Sequence, residues 1–496
     1  MLLKRQQNWN GASIPEEIQL IIESLKKKGF ESYVVGGCVR DLLIKIKPQD
    51  WDIATEAKPE QISQIFPKSY IENKFGTVTV LTGSDDQSLK EVEITPYRID
   101  EKYTDKRHPD RIHWAKTIKE DLARRDFTVN ALALDGIEGT AKIIDPFAGQ
   151  KDLENKIIRA VGNAEDRFSE DALRMMRAVR FAATLNFEIE EKTSQAVKKN
   201  STWLRAISKE RIRDELLKII MSDRAAEGIE LLRNLNLLKH IIPELEEGYN
   251  VTQNKHHIYE VYQHSLLSLK YAAKKKFNEQ VRLAVLFHDI AKPRVKKGEG
   301  PNATFYNHEV VGAKMTCQIL ERLKFSKKDI EKISKLVRYH LFYYNVDEVG
   351  ENSVRRLVRQ VGPESMEELL QIRMSDRIGS GCPKAEPYKL RHLKYIIDKV
   401  SQDPISARTL KISGNEVMDI LKIEPGPKVG QFLDILLGYV LENPKKNKKE
   451  VLEKEIKKLE KLPEKELKKL TDKARKEREE IETKRDEMTK KKYWVT

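Results

Sequence analysis

Strand-like segments are confined to the first third of this 496-residue chain, and later periodic segments are helical. Short runs of alternating or β-branched residues occur at 32–35, 77–81 and 91–94, bounded by glycine-containing turns. After about residue 160, apolar residues recur at helical spacing. This division predicts an α/β domain at the N-terminus followed by an all-α remainder.

Helical periodicity also defines the expected elements. The predicted helices cover residues 15–28, 166–185, 209–221, 225–238, 264–275, 279–292, 310–323, 327–340 and 354–361. Pro243, the turn at 298–301 and Pro404 are candidate domain boundaries, because proline and glycine interrupt helices. From residue 445 the sequence is low in complexity and rich in Lys, Glu, Leu and Arg. That composition predicts a solvated helix, a coiled coil or a frayed tail.

The net charge favours a polyanionic partner. The chain carries 92 Lys and Arg against 78 Asp and Glu, a net charge of +14, with pI ≈ 9.2. Such a field attracts phosphate, although the same charge could serve solubility alone. Residues 444–492 hold 20 basic and 13 acidic side chains, and the rest of the chain also carries +7. The tail therefore supplies half of the excess charge.

Cysteine usage and hydropathy indicate a reducing compartment. Cys38, Cys317 and Cys382 lie far apart in the sequence, which argues against a disulfide framework and against a cysteine-based zinc site. The first residues lack a long apolar segment, and no run of 18 apolar residues occurs anywhere. We therefore expect a cytoplasmic protein that does not cross a membrane.

A glycine pair and two aspartates define the first candidate site. Gly36 and Gly37 end a predicted strand and precede a predicted helix, so backbone N–H groups can approach a phosphate there. Arg40 can reach the same phosphates. Asp50 and Asp52 would face one side of a strand, where their repulsion demands a cation. This combination is suited to Mg²⁺-dependent nucleotidyl transfer, whereas a DxD pair alone is more often a solvated turn.

Further segments occur in the order of a known family. They are EDLARRDFTVNALA at 120–133, DPFAGQKDL at 145–153, EDALRMMRAVRF at 170–181 and ISKERIRDELL at 207–217. Together with GGCVRD at 36–41 and DWD at 50–52, they resemble the signatures of the class II tRNA nucleotidyltransferase and bacterial poly(A) polymerase family. The resemblance is close over residues 30–220 and looser to about residue 460.

The resemblance implies a polymerase-β-like head with a mixed sheet. It implies that Asp50 and Asp52 hold the catalytic Mg²⁺ ions and that Glu93 supplies a third carboxylate. The sequence departs from the family pattern at Ile94 and Pro96. An edge-strand charge is the alternative role for Glu93.

The resemblance also assigns the contacts to the triphosphate. The implied nucleotide-binding residues of the head are Gly36, Gly37, Arg40 and Arg125. For Arg125, a structural salt bridge is the alternative.

The neck motif resembles the family's base-reading element, in which a side-chain pair replaces a nucleic-acid template. Asp171 would accept a hydrogen bond from an exocyclic amine, and Arg174 would donate to a ring nitrogen or carbonyl. On a helix these residues would lie about 60° apart, with Arg177 about 120° and Arg180 about 180° from Asp171. Arg177 and Arg180 are therefore assigned to phosphate binding or to bracing. An intrahelical salt bridge is the alternative for the first pair.

Two segments bear on which RNA end is extended. Residues 73–80 resemble the CCA-adding version of the family rather than the basic stretch of its poly(A) polymerases. Residues 98–109 resemble the flexible loop that CC-only relatives lack. The expected reaction is CCA addition to the tRNA 3′ end from CTP and ATP. Poly(A) synthesis, CC-only addition and A-only addition remain alternatives.

Seven of the ten histidines lie between His240 and His340. The order H…HD…D resembles an HD-type metal phosphohydrolase domain. Imidazoles and carboxylates together suit a divalent transition metal. The implied ligands are His264, His288, Asp289 and Asp376, and the implied accessory residues are His308 and His340. A folded but inert domain is the alternative.

These motifs divide the chain into five predicted domains. They are a nucleotidyltransferase head at 15–160, a helical neck for base selection at 161–250, an HD-type domain at 256–400, a tRNA-binding region at 405–460 and a basic helical tail at 461–496. The expected partners are tRNA, CTP and ATP, and the sequence leaves the oligomeric state open. A non-catalytic RNA-binding protein is the competing class, against which the intact Asp50, Asp52 and Arg125 argue.

Overall fold

The computed structural model describes residues 14–72, 76–101, 111–136, 141–254, 258–401 and 407–495. These residues form two compact units. The first runs through Leu341 and takes in Glu368–Pro383, and the second comprises Phe342–Glu367 and the described residues from Lys384 onward. All predicted site residues lie in the first unit. Most of the predicted loop at 98–109, from residue 102 onward, and residues 73–75 lie outside the described ranges.

The first unit begins with the predicted α/β head. Its strands are β1 (Ser32–Val35), β2 (Asp52–Thr55), β3 (Ser69–Ile71), β4 (Val78–Leu81), β5 (Glu91–Pro96), β6 (Arg98–Glu101), β7 (Arg111–Trp114), β8 (Ala133–Asp135) and β9 (Lys142–Ile144). Its helices are α1 (Glu16–Lys27), α2 (Gly37–Leu43), α3 (Pro59–Ile65), α4 (Ile118–Ala123) and α5 (Gly149–Glu154). Seven strands form one sheet in the order β3-β4-β5-β2-β1-β8-β9, while β6 pairs with β7.

The pairing directions make this sheet mixed. Strands β2 and β5 are parallel, and β1 is antiparallel to both β2 and β8. Helix α1 covers the sheet with the four buried apolar residues that its periodicity predicts, namely Ile18, Ile21, Ile22 and Leu25. The helix predicted at 15–28 and the strands predicted at 32–35, 77–81 and 91–94 are confirmed.

The rest of the first unit is helical, apart from one short strand pair, β10 (Ile157–Ile158) with β11 (Glu188–Ile189). The strand β11 is a small correction to the all-α expectation. The neck helices are α6 (Ala164–Glu170), α7 (Arg174–Leu185), α8 (Glu191–Asn200), α9 (Lys209–Ile220), α10 (Ala225–Asn234), α11 (Leu238–Ile241) and α12 (Pro243–Glu246). The helices that follow are α13 (Val261–Lys274), α14 (Glu279–Phe287), α15 (Lys292–Val295), α16 (His308–Arg322), α17 (Lys327–Tyr339), α18 (Glu351–Val361) of the second unit, and α19 (Met366–Gly379).

Three predicted helices are shorter than expected, and the one predicted at 225–238 ends at Asn234. The helix predicted at 166–185 is two helices, because Asp171 is extended, with φ −140° and ψ 105°. Its carboxylate accepts the backbone N–H of Leu173 at 3.0 Å, a local bond that competes with helix continuation. The helix predicted at 279–292 ends at Phe287, so His288 and Asp289 follow it in a turn.

The second unit contains α18 and five later helices. They are α20 (Tyr388–Ser401), α21 (Gly414–Leu421), α22 (Pro427–Glu442), α23 (Lys449–Leu459) and α24 (Glu464–Lys492). Leu467 of α24 belongs to the same apolar core as Phe432. The charged tail is therefore a helix with one packed face. The fold class predicted from the sequence, a mixed-sheet head followed by helical regions, is confirmed. Within the described residues, none of the helices has both the length and the apolar character needed to span a bilayer.

One buried arginine joins the neck to the helices that follow it. The Arg282 side chain is 1% exposed and donates to Ile220 O and Ser222 O at 2.9 Å each. It also donates to Phe277 O at 2.9 Å. These carbonyls end α9 and precede α14, so one guanidinium satisfies acceptors that the helix ends leave open.

We predict that Arg282→Met lowers the free energy of unfolding of the first unit by about 3 kcal/mol or more, because several buried carbonyls lose their donor. Calorimetric unfolding would measure this change. Arg294→Met is the matched control, since Arg294 pairs with Glu247 at the surface and exposed pairs contribute about 0–1 kcal/mol. Equal effects of the two substitutions would contradict the assignment.

Candidate active site

Three neighbouring strands of the sheet bring the head residues together. Val35 of β1 lies opposite Asp52 of β2, and Asp52 lies opposite Glu93 of β5 in parallel register. Gly36 directly follows β1, so it reaches the same edge of the sheet. Asp50 precedes β2 and is exposed, which corrects the expectation that both aspartates lie within a strand.

Two carboxylates at this edge, those of Asp52 and Glu93, have raised pKa values. Burial raises the pKa of Asp52 to about 6, Arg125 opposes the shift and Asp50 adds to it. Burial, Asp52, Glu72 and Asp50 raise the pKa of Glu93 to about 7. Partly buried carboxylates whose pKa values are raised in this way favour a bound cation. The residues present therefore fit a metal such as Mg²⁺.

Gly36 permits a close approach that no other residue would allow. Its φ is +85°, and a Cβ atom there would lie 2.6 Å from Arg125 Nη1 and 3.4 Å from Asp52 Oδ2. Asp121, which is almost fully buried, accepts a hydrogen bond from Arg125 Nη2 at 3.3 Å. The structure thus places the Arg125 guanidinium beside Asp52, held from behind by Asp121.

Arg40 is fixed within the head. Its Nε donates to Asp41 Oδ1 at 2.8 Å and its Nη1 donates to Asn130 Oδ1 at 2.7 Å. A Cβ atom on Gly37 would lie 3.6 Å from Arg40 Nη2, so the arginine folds back over the first turn of α2. Asn130 and Asp121 belong to the EDLARRDFTVNA segment, although sequence reasoning singled out only Arg125 within it.

Asp171 and Arg174 do not form the helical pair that their spacing predicted. Asp171 lies between α6 and α7, and its carboxylate binds Arg211 of α9 at 2.7 Å and 3.3 Å. Arg174 donates to Glu170 and, from Nη2, to the Arg124 carbonyl at 2.9 Å. The angles calculated from Asp171 therefore do not apply. Arg211 was missed because a partner on another helix leaves no local spacing signal.

Arg177 and Arg180 brace the neck. Arg177 Nε donates to Asp126 of the head at 2.6 Å, and Arg180 Nη1 donates to Glu215 of α9 at 3.3 Å. Asp126 is nearly fully buried, so its ion pair ties α7 to the head. Burial and the neighbouring Arg177 lower the pKa of Arg180 to about 10.

The predicted HD residues converge in a second cluster. His264, His288 and Asp376 form one group in which the ligand atoms lie within 4.8 Å of one another, and Asp289, His308 and His340 form another. Asp289 joins the two groups. Its Oδ2 lies 3.2 Å and 3.3 Å from Nε2 of His264 and His288, and its Oδ1 lies 3.4 Å and 3.8 Å from Nε2 of His308 and His340.

Backbone contacts orient three of these imidazoles. The Nδ1 atoms of His288, His308 and His340 each lie 2.7 Å from the carbonyl three residues earlier. If Nδ1 carries the proton and donates it to the carbonyl, the lone pair on Nε2 is free to bind a metal. Metal-binding histidines are commonly oriented by such a second hydrogen bond. His288 and His340 each directly follow the last residue of a helix, whereas His308 is the first residue of α16.

The two aspartates of this cluster favour positive charge at the buried histidines. Burial alone would lower the pKa of His288, but Asp289 and Asp376 outweigh burial and raise it to about 10. Burial and His288 lower the pKa of His340 to about 3. Two carboxylates that retain a proton on a buried imidazole would favour a divalent cation in its place. The donor set therefore fits transition metals.

A cavity of about 500 Å³ opens beside this cluster. Its lining includes Asp289, His308, His340 and Asp376, together with Lys292 and Arg373. Lys292 Nζ lies 2.7 Å from Asp289 Oδ2. Sequence reasoning missed both cations, although Lys292 follows Asp289 by three residues.

We predict that Mg²⁺ binding releases protons near neutral pH. At pH 6.5 Asp52 and Glu93 together retain roughly one proton, because their pKa values are raised, whereas at pH 8.5 both are ionised. Apparent Mg²⁺ affinity should therefore fall as the pH drops through 7 to 6. Proton uptake and release in weakly buffered titrations would measure this.

Glu93→Gln tests whether Glu93 is a source of the released protons. It should remove most of the proton release at pH 6.5, because Glu93 has the higher pKa. Unchanged release in this variant would show that other groups bind the metal.

Three segments of the chain match known domain families. Residues 32–159 match the poly A polymerase head domain, residues 186–248 match the probable RNA and SrmB-binding site of polymerase A, and residues 256–378 match the HD domain. These matches follow one another in the order that the sequence motifs predicted.

Relatives share nearly the whole chain. The CCA-adding enzyme of Ligilactobacillus salivarius is 34% identical over 464 residues, which cover 90% of this chain and 99% of the relative. That of Enterococcus faecalis is 33% identical over 454 residues, covering 89% and 96%. The crystal structure of the Bacillus stearothermophilus CCA-adding enzyme in complex with CTP is 28% identical, with a TM-score of 0.56 over 90% of this chain and 98% of that one. The predicted resemblance is confirmed, and the chain belongs to the family of CCA-adding enzymes.

Proposed function

We propose that this chain adds C, C and A to the 3′ end of tRNA from CTP and ATP, without a nucleic-acid template. One observation carries the proposal. Asp52 and Glu93 lie opposite each other on adjacent parallel strands, beside Gly36 and Arg125. Membership of the CCA-adding family supports the substrate class. The three cysteines are free, which is compatible with a cytoplasmic enzyme.

The reaction joins the tRNA 3′-hydroxyl oxygen to the α-phosphorus of the nucleotide, breaks the α–β phosphoanhydride bond to release pyrophosphate, and transfers the hydroxyl proton to solvent. Asp50, Asp52 and Glu93 would hold Mg²⁺, which supplies positive charge beside the triphosphate when bound. Arg125 and Arg40 bind phosphate oxygens, and Asp121 and Asp41 keep these arginines in place.

Base selection rests on Asp171 and Arg174 in this proposal. Three of the roughly four lone-pair sites of the Asp171 carboxylate are taken, two by Arg211 and one by Leu173 N–H. One site remains for the exocyclic amine that cytosine and adenine share. Arg174 uses Nη1 and Nη2, so Nε–H is available for a ring acceptor.

We predict the following outcome for tRNA that lacks its 3′ CCA. CTP alone should extend it by two nucleotides, CTP with ATP should extend it by three, and UTP or GTP should add nothing. Denaturing gels of end-labelled tRNA would resolve each product.

Asp52→Asn tests the carboxylate site in the same assay. It should lower the rate at least about 1,000-fold while tRNA binding persists, because the metal loses a charged ligand. Asp86→Asn is the matched control, since Asp86 pairs with Lys47 at the surface. Near-normal turnover in Asp52→Asn would contradict the role of this residue.

The same incubation separates the alternatives. A poly(A) polymerase would ignore CTP and add many A residues. A CC-only enzyme would stop after two nucleotides, and an A-only enzyme would extend only tRNA that already ends in CC. The residues at 98–109 are proposed to permit the change from pyrimidine to purine, so shortening them should impair A addition more than C addition.

We further propose a phosphohydrolase activity for the HD region, favoured by the position of Asp289 between two groups of ligands. His264, His288 and Asp376 would hold one divalent transition metal, and His308 and His340 would hold a second. Bound metals would supply Lewis-acid charge that activates water. Lys292 and Arg373 line the adjacent cavity and can bind phosphate. Candidate substrates are 2′,3′-cyclic phosphates, 3′-phosphates and pyrophosphate.

We predict that Asp289→Asn removes bound transition metal and any hydrolysis while nucleotide addition stays within about twofold of wild type. The reason is that one carboxylate contacts both histidine groups. Elemental analysis after dialysis against Mn²⁺ would measure metal content. Asp347→Asn at an exposed position is the control. Equal metal content in both variants would exclude Asp289 as a ligand.

The predicted domain limits remain proposals. The region at 405–460 and the tail at 461–496 are proposed to bind the tRNA body through phosphate contacts, which position RNA without reading its sequence. Within the second unit, α24 contributes to the core of α22 and α23, so the two segments would act as one body.

A further inference from the structure

Phe181 is surrounded by arginine side chains. Its ring is 7% exposed and packs edge-on against Phe127, with ring centroids 5.8 Å apart. The guanidinium carbons of Arg180, Arg40 and Arg177 lie 4.1 Å, 5.1 Å and 5.3 Å from the Phe181 centroid. All three distances are within the roughly 6 Å reach of a cation–π contact. Such contacts occur about once per 70–80 residues, so three on one ring need an explanation.

The three arginines come from two parts of the first unit. Arg40 belongs to α2 of the head, whereas Arg177 and Arg180 belong to α7 of the neck. Each has one carboxylate partner, namely Asp41, Asp126 and Glu215. A polar chain links two of the arginines, because Asn130 accepts a hydrogen bond from Arg40 and donates one to Asp126, which binds Arg177. The Phe181 ring is a neighbour that all three guanidinium groups share.

Three like charges around one side chain repel one another. The negative face of an aromatic ring offsets part of that repulsion, whereas an aliphatic side chain of similar size carries no such quadrupole. The ring is also rigid, with two χ angles, and its contact with Phe127 limits its movement. The Phe181 ring therefore stabilises the arrangement of the three guanidinium groups in addition to filling the core.

We infer that Phe181 is a positioning residue for the incoming nucleotide: its ring holds Arg40, Arg177 and Arg180 together so that their remaining N–H groups face the anionic substrate. This inference rests on the proposed nucleotide site. It adds a residue that does not touch the substrate but fixes Arg40, which is proposed to bind phosphate, together with the two arginines of α7 beside it. A merely structural phenylalanine would affect stability without a selective effect on nucleotide affinity.

The test compares Phe181→Leu, Phe181→Tyr and Phe168→Leu in the full chain. Phe168 is a fully buried phenylalanine of α6 that serves as a packing control. The measurements are KM and kcat for CTP and for ATP with tRNA substrates, the Kd of CTP by calorimetry without tRNA, and the melting temperature. We expect Phe181→Leu to raise both KM values and the CTP Kd by about 5- to 30-fold. Phe181→Tyr should stay within about threefold of wild type.

Three results would overturn the inference. They are a KM and a Kd within twofold of wild type in Phe181→Leu, an equal rise in Phe168→Leu, or no rescue in a Phe181→Tyr variant that melts like wild type. If Phe181→Leu does not fold, Phe181→Met keeps the volume without the ring and takes its place. If wild type adds neither C nor A, the proposed function fails, and CTP binding still tests Phe181.

Discussion

The register of three strands determines the chemistry available to the head. Because β2 and β5 are parallel with Asp52 opposite Glu93, two carboxylates are forced together at one edge of the sheet. Burial raises the pKa of both groups, Asp52 adds to the shift at Glu93, and a cation is therefore favourable there. Gly36 follows the adjacent strand and leaves room for the Arg125 guanidinium, so negative and positive groups meet where a triphosphate needs both. A slip of one residue would turn Asp52 to the other face.

The neck depends on the head through charged contacts. Arg177 binds the buried Asp126, and Arg174 binds the Arg124 carbonyl, next to the arginine that is proposed to contact phosphate. The segment proposed to read the base and the segment proposed to bind phosphate are therefore mechanically connected. Phe181 lies at the centre of this arrangement, where its ring offsets repulsion among guanidinium groups.

The HD cluster, like the head, places buried metal-binding groups close together, but its donors include imidazoles as well as carboxylates. Its imidazoles and carboxylates are buried together, and Asp289 faces histidines on both sides. Oxygen donors alone suit Mg²⁺ in the head, whereas imidazoles favour transition metals in this second cluster. Separate ligand sets allow the two sites to be tested independently.

The sequence alone determined the division into an α/β head and helical regions, because strand and helix periodicities are local properties. The resemblance to a known family also identified the carboxylates of the head and the histidines of the HD cluster, but it did not identify Arg211, Lys292 or Arg373. Only the tertiary structure decided that Asp171 lies outside the helix and pairs with Arg211, and that Phe181 contacts three arginines. The reason is physical: partners such as Arg211 are 40 residues distant, and contacts between distant segments arise from packing that no local pattern encodes.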